Sequence, residues 1–175
     1  MTADDILAFA DQLGTAASAP VAPVERQLHL VVFRLDREEF AVPIHTVREV
    51  VRVADITRVP QAPAHIRGVM NLRGRILPVV EIRSRLGLSA AELTPQSRVV
   101  VVDVNRRIIG LLVDGVGQVT RIGEGLVSAP PEEVRASGTD AVTGVARVGS
   151  RLLIMLDLER VLRSDALDSS SPVPS

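Results

Sequence analysis

Between Leu28 and Leu156 the chain is cut into six short aliphatic runs, at 28–35, 40–44, 76–80, 99–104, 108–113 and 152–156. Turn residues separate them, and no ten-residue helical pattern intervenes. Runs this short and this rich in valine and isoleucine read as strands. Without helices to carry crossovers, parallel βαβ winding is disfavoured, and small antiparallel β barrels fit better. Phe40, Val42 and Ile44 alternate with Ala41 and Pro43, the period of a strand with one buried face. Residues 99–102 are all valine, so that strand is expected to be buried on both faces, between two layers.

The runs also repeat. At an offset of 69, Val47 meets Val116, Val50 meets Val119 and Arg52 meets Arg121, while Leu35, Phe40, Val42 and Ile44 meet Val104, Ile109, Leu111 and Val113. Further on the offset is 76: Gly68 meets Gly144, Val69 meets Val145, Arg75 meets Arg151, Val79 and Val80 meet Met155 and Leu156, Glu81 meets Asp157, and Leu86 meets Leu162. The change of offset falls in the loop holding Gly125, Pro130, Pro131 and Gly138, where insertion costs little. The repeat predicts two similar β subdomains packed together, with Gly68 and Gly144 in equivalent places. Their junction is a natural groove for a ligand or partner.

The ends read differently. Residues 3–13 fit a short amphipathic helix with Ile6, Phe9, Ala10 and Leu13 on one face, and residues 15–23 form a small-residue and proline linker. Three serines and two prolines give 164–175 the composition of a frayed tail. The expected organisation is thus an amino-terminal helix and linker over 1–26, a folded body over 27–163, and a tail over 164–175.

A length of 175 residues allows one domain or two very small ones. Twenty basic and 21 acidic residues leave a net charge of −1, so no global field draws the chain to nucleic acid or an anionic membrane. Every basic residue is arginine. Absence of lysine removes Walker-type phosphate loops and Schiff bases, and absence of cysteine removes thiol nucleophiles, disulfides and thiolate metal sites. The apolar runs are too short to span a bilayer, and the acidic amino terminus lacks the basic start of a secretory signal. A soluble intracellular chain is expected.

Catalytic motifs are thin. His29, His45 and His65 are spaced 16 and 20 apart, unlike a helical metal motif. Gly115-Val116-Gly117 starts like a dinucleotide fingerprint, but Thr120 stands where the third glycine belongs, and Asp114-Gly115 reads as a hairpin turn. Glu38-Glu39 and Glu132-Glu133 read as solvated charge, and Arg106-Arg107 is too short for a nucleic-acid patch. Neither a metal nor a cofactor is expected. The most informative stretch is AHIRGVMNLRGRILPVVEIRSRLGL, residues 64–88. Strands at 66–70 and 75–80 are expected to be joined by Asn71-Leu72-Arg73-Gly74, a tight reversal that turns Leu72 and Arg73 outward. A short helix over 82–86, ended by Gly87, should follow.

This segment resembles the CheW family, the adaptors of bacterial chemosensory arrays. The likeness continues through LVVFRLDREEFAVPI, VREVV, RIIGLLVDGVGQV and VTGVARVGSRLLIMLDLERVL, about 135 residues in five ordered blocks. It implies a mainly β fold of two small five-stranded SH3-like barrels packed together, with short helices and the amino-terminal helical extension. It also implies a cytoplasmic, non-catalytic adaptor sited at receptor arrays on the inner face of the membrane, without inserting into it. The implied partners are the CheW-like regulatory domain of a CheA-type histidine kinase and the cytoplasmic tip of chemoreceptors, in rings built by end-to-end barrel contacts. Val47, Gly68, Arg73 and the neighbourhood of Val113, Gly115 and Val116 match the family's receptor-facing groove. Glu49 and Arg73 match positions that can form an ion pair, with Asn71 shaping the turn. Glu81 and Met70 depart mildly from the common family residues. Two rival readings are an adaptor for pilus motility or another output and, more remotely, a small β-barrel enzyme or ligand carrier with clustered titratable groups.

Overall fold

A computed structural model describes residues 26–133 and 140–162. The helix expected at 3–13, nearly all of the linker and the tail lie outside the described residues. The chain runs β1 (Gln27–Leu35), β2 (Glu38–Pro43), β3 (Val47–Arg52), β4 (Ile56–Thr57), β5 (Ile66–Leu72), β6 (Arg75–Glu81), α1 (Ile82–Arg85), β7 (Arg98–Val104), β8 (Arg107–Val113), β9 (Gly115–Gly123), β10 (Val127–Ser128), β11 (Val142–Val148) and β12 (Arg151–Leu156). A last helical turn covers 158–162.

The strands form two six-stranded sheets, ordered β10-β11-β12-β2-β1-β9 and β4-β5-β6-β8-β7-β3. Written this way, the second order is the first with each strand replaced by its repeat partner. Adding 69 carries β1, β2 and β3 onto β7, β8 and β9, and adding 76 carries β5 and β6 onto β11 and β12. The expected five strands per subdomain become six because a two-residue strand, β4 or β10, joins each edge.

The repeat alone does not reveal how the two subdomains share the chain. Each sheet combines a hairpin from one half of the sequence with four strands from the other: β1 and β2 join β9–β12, while β7 and β8 join β3–β6. Where they meet, β2 runs parallel to β12 and β8 parallel to β6. The halves are therefore exchanged, not stacked, and short parallel contacts occur without a crossover helix.

This exchange explains the valine runs. β1 and β7 each separate two cores. Val100 and Val102 join Val31, Phe33 and Leu35 in a shared core between the sheets, which also holds Phe40, Val42, Val80, Ile82, Leu111 and Val113. On their other faces Leu30 and Val32 pack with Ala41, Leu153 and Met155, and Val99 and Val101 pack with Met70, Leu77 and Val79. Phe33 and Phe40 stack in the shared core with ring centroids 6.1 Å apart. Strand β2 departs from its predicted one-sided pattern for the same reason: Ala41 is buried in its own sheet, while Ile44 leaves the strand in a 3-10 turn, Ile44–Thr46, and is exposed.

The glycine prediction holds. Each glycine sits at a register shift, Gly68 between β5 and β6 and Gly144 between β11 and β12. Each abuts the short edge strand of its own sheet. A Cβ on Gly68 would lie 2.3 Å from the Thr57 carbonyl oxygen, and one on Gly144 would lie 2.6 Å from Val127 Cγ1. Gly68 also has φ +152°, a backbone that disfavours side chains.

Asp114-Gly115 is not a hairpin turn. Strands β8 and β9 belong to different sheets, so Asp114 lies on the crossover between them. Gly115-Val116-Gly117 is strand, with no helix following. Glu39 is not simply solvated either, since Arg151 holds it in an ion pair across the parallel β2–β12 contact.

Candidate functional site

The β5–β6 connection is tighter than the sequence suggests. Strands extend to Leu72 and from Arg75, leaving a two-residue turn of Arg73 (φ 51°) and Gly74 (φ 83°). Positive φ at both positions is the geometry that matches strand twist in a two-residue hairpin. The Gly74 N–H donates to Asn71 Oδ1 at 2.9 Å, so Asn71 spends its side chain inside the turn. Leu72 does not turn outward. It is half-buried and packs on the core of its own sheet.

Arg73 alone projects, with 72% of its side chain exposed. Its Nη1–H donates to Glu49 Oε2 and its Nη2–H to Glu49 Oε1, both at 2.6 Å, a two-pronged contact. Glu49 lies on β3, at the far edge of the sheet from β5 and β4. The sheet has to curl back on itself to bring them together, which is the closure expected of a barrel. The hydrogen bond from Arg73 lowers the Glu49 pKa, and the same bond raises that of Arg73. A cavity of about 230 Å³ beside the pair is lined by Leu72, Ile76, Leu77 and Ile108 among others.

The other predicted residues lie elsewhere. Val47 opens β3 and Val116 is the second residue of β9; both are half-buried against the core shared by the sheets. They are repeat partners, so they flank the junction in matched fashion. Val113 ends β8 and is fully buried. Gly115 is buried against Arg34, whose Nη2 would lie 3.0 Å from a Cβ there. Gly68 is buried at its bulge, where the close approach to Thr57 accounts for it. The eight positions thus form a turn cluster (Glu49, Asn71, Arg73), a junction cluster (Val47, Val113, Gly115, Val116) and Gly68.

Sequence reading missed the cluster around Arg83. This α1 residue is buried, and its guanidinium donates to Asp36, in the β1–β2 turn, and to Asp114, on the crossover. Its Nε–H donates to the Ser89 carbonyl at 2.7 Å. Burial works against the charge, but the hydrogen bonds to Asp36 and Asp114 outweigh it and raise the Arg83 pKa. The three residues lie 31, 47 and 78 positions apart in sequence, and no local pattern could have grouped them.

The three histidines lie on separate elements. His29 lies on β1, His45 in the 3-10 turn and His65 just before β5. Among the described residues no group of three or more histidine and carboxylate side chains converges in a way that could hold a metal ion. A cavity of about 360 Å³ between β6, β8 and the last helical turn is lined mainly by apolar groups, including Ile66, Pro78, Val80, Ile109 and Leu162. No helix among the described residues is long and apolar enough to cross a membrane.

Known proteins share this architecture. The family model of the CheW-like domain matches residues 29–166. The "Chemotaxis protein CheW" of Treponema pallidum is 31% identical over 152 residues, covering 85% of this chain and 89% of its own. "Protein PilI" of Pseudomonas aeruginosa is 36% identical, but over only 48% of this chain and 47% of its own. The crystal structure of scaffolding protein TtCheW from Thermoanaerobacter tengcongensis superposes with a TM-score of 0.72 at 31% identity, covering 81% of this chain and 96% of that one. The fold, the exchanged repeat and these matches agree: the chain belongs to the CheW-like family.

Proposed function

We propose that this chain is a non-catalytic adaptor of a bacterial chemosensory array, coupling chemoreceptors to a CheA-type histidine kinase at the inner face of the membrane. The observation that carries the reading is the Arg73–Glu49 pair. Arg73 adopts a left-handed backbone that any residue with a Cβ disfavours, and its exposed ion pair returns little stability. A turn built this way at the expense of the fold is suited to recognition, with Leu72 and Ile76 supplying apolar surface beside a fixed guanidinium.

The junction flanked by Val47 and Val116 is the groove offered to the receptor tip. The outer faces are offered to the kinase regulatory domain and to ring neighbours. Exposed apolar residues recur there at matched positions: Val50 with Val119, and Ile76 with Leu152. Matched but non-identical faces suit contacts between one end of one molecule and the other end of the next, which close into rings. Similarity to a chemotaxis relative along most of the chain, against half-length similarity to a pilus protein, favours chemotaxis as the output.

The test is a pull-down of receptor-tip fragments and of the kinase regulatory domain, followed by a reconstituted kinase assay with and without the chain. The expected result is binding of both, and kinase activity that answers to receptor only when the chain is present. Absence of binding to either partner refutes the reading.

A further inference from the structure

Val47 and Val116 are repeat partners that mark two edges of the core shared by the sheets, and the segments leading into them are held by different means. One edge starts at Val47, just after the β2–β3 connection. The other starts at Val116, just after the β8–β9 crossover. On the second edge Asp114 is held through its N–H, its carbonyl and its Oδ2. Its N–H donates to the Arg34 carbonyl at 3.0 Å, and its own carbonyl accepts from Arg34 Nη2 at 3.5 Å. Its Oδ2 accepts the Asp36 N–H at 2.8 Å and Nη1–H of buried Arg83. Arg83 in turn reaches Asp36 Oδ1 and the Ser89 carbonyl, so one guanidinium joins α1, the tip of the β1–β2 hairpin and the crossover. At the repeat-related positions stand Glu159 for Arg83, Asn105 for Asp36 and His45 for Asp114. A carboxylate in place of the guanidinium cannot build the same cluster at the Val47 edge.

We infer that Arg83 is a positioning residue for partner recognition: by clamping Asp114 against Asp36 it fixes the crossover that leads into Val116, and so makes the Val116 edge the rigid edge on which a receptor tip registers. This inference rests on the adaptor reading above. Three features support it. The clamp holds the one residue of the crossover between the sheets. Asp114 also exchanges two hydrogen bonds with Arg34 of β1, so the crossover is held on a second side as well. A planar fork shared between two carboxylates defines direction as well as distance, which an ammonium does not.

The experiment uses the full chain as wild type, Arg83→Lys and Asp36→Asn, since Arg83→Ala would leave two carboxylates uncompensated and could unfold the protein. Melting, amide exchange at 114–117 and at 47–50, affinity for a receptor-tip fragment and affinity for the kinase regulatory domain are measured for each. Both variants should remain folded. Amides at 114–117 should exchange faster while those at 47–50 keep the wild-type rate. Receptor affinity should fall roughly tenfold, about the effect of one charge-assisted hydrogen bond, with kinase affinity unchanged. Parallel loss of both affinities together with melting temperature makes the clamp merely structural and overturns the inference. Unchanged exchange and receptor affinity in both variants overturn it as well. If wild type itself fails to bind the receptor fragment, the adaptor reading fails and the inference falls with it, an outcome distinct from variants that bind like wild type.

Discussion

The two halves of the molecule share a topology but not a chemistry. Strand for strand they match in order, register shift and bulge glycine. One backbone hydrogen bond repeats, from Glu81 N–H to the His65 carbonyl and from Asp157 N–H to the Ala141 carbonyl, yet the side-chain ion pairs around Arg73, Arg83 and Arg151 are not copied. The turn residue Arg73 has Gly149 as its partner, and Glu49 has Gln118, so the ion pair on one hairpin is absent from its counterpart. Glu39 pairs with Arg151 in the other sheet, where the equivalent positions are Ile108 and Arg75. Arg83 faces two carboxylates, and Glu159 stands in its place opposite. What the repeat preserves is apolar packing, because the shared core needs the same shape on both sides. What it varies is surface charge, which constrains folding weakly and recognition strongly.

The largest expected difference between the halves is at the clamp. Arg83→Ala should cost about 3 kcal/mol, the low end for breaking a buried ion pair because Asp36 stays partly in water, whereas exposed Glu159→Ala should cost no more than about 1 kcal/mol. Urea denaturation of the two variants measures it, and equal costs would show that the halves are held alike. Next come the bulge glycines. Gly68→Ala places a Cβ 2.3 Å from a backbone carbonyl oxygen at positive φ and should cost about 2–3 kcal/mol. Gly144→Ala, without the positive φ, meets a valine methyl that can shift and a carbonyl oxygen at 3.0 Å, and should cost about 1–2 kcal/mol. Thermal melting of the pair would sharpen or erase that ranking.

Smaller still is the stability effect at the turn. Arg73→Gly copies the other half, relieving the left-handed backbone while removing the ion pair, so melting should barely move. Receptor-dependent kinase control should fall for Arg73→Gly and Arg73→Ala alike, with Arg73→Lys rescuing poorly. Normal control in a folded Arg73→Ala variant would remove the recognition role. The smallest effect is acidic. The hydrogen bond from Arg151 is the main reason the Glu39 pKa is lowered, so its stabilisation is complete above the ordinary carboxylate value of 4.5 and is lost as pH falls through the lower folded value. Arg151→Gln should flatten that part of the melting-against-pH curve, and an unchanged curve would show that the pair contributes nothing.

Much of this architecture can be read along the chain because the relevant signals are local. Period-two patterning and the turn chemistry of Asn71 and Gly74 depend on neighbours in sequence, and the repeat is found by comparing two such local patterns. The four-valine stretch at 99–102 predicts a layer between two cores, and β7 lies between two. Asp114-Gly115 departs from its expected turn because a turn signal does not reveal which sheet the next strand joins, and Leu72 departs because strand pairing runs on to Leu72 and Arg75 and leaves a two-residue turn. Arg73 with Glu49 was legible only through resemblance, since nothing local links a turn to a strand at the opposite sheet edge.

By itself, then, the sequence determined that the chain is built of short strands in two similar sets, that thiol and lysine chemistry are excluded, and that Gly68 and Gly144 occupy equivalent places. Tertiary structure alone decided that the hairpins are exchanged between the sets, that the sheet curls far enough to join Arg73 to Glu49, and that Arg83 is buried between Asp36 and Asp114. The physical reason is range. Strand pattern and turn geometry are fixed within a few residues, whereas barrel closure, strand exchange and charge clamping are settled by which apolar faces find one another across the whole chain.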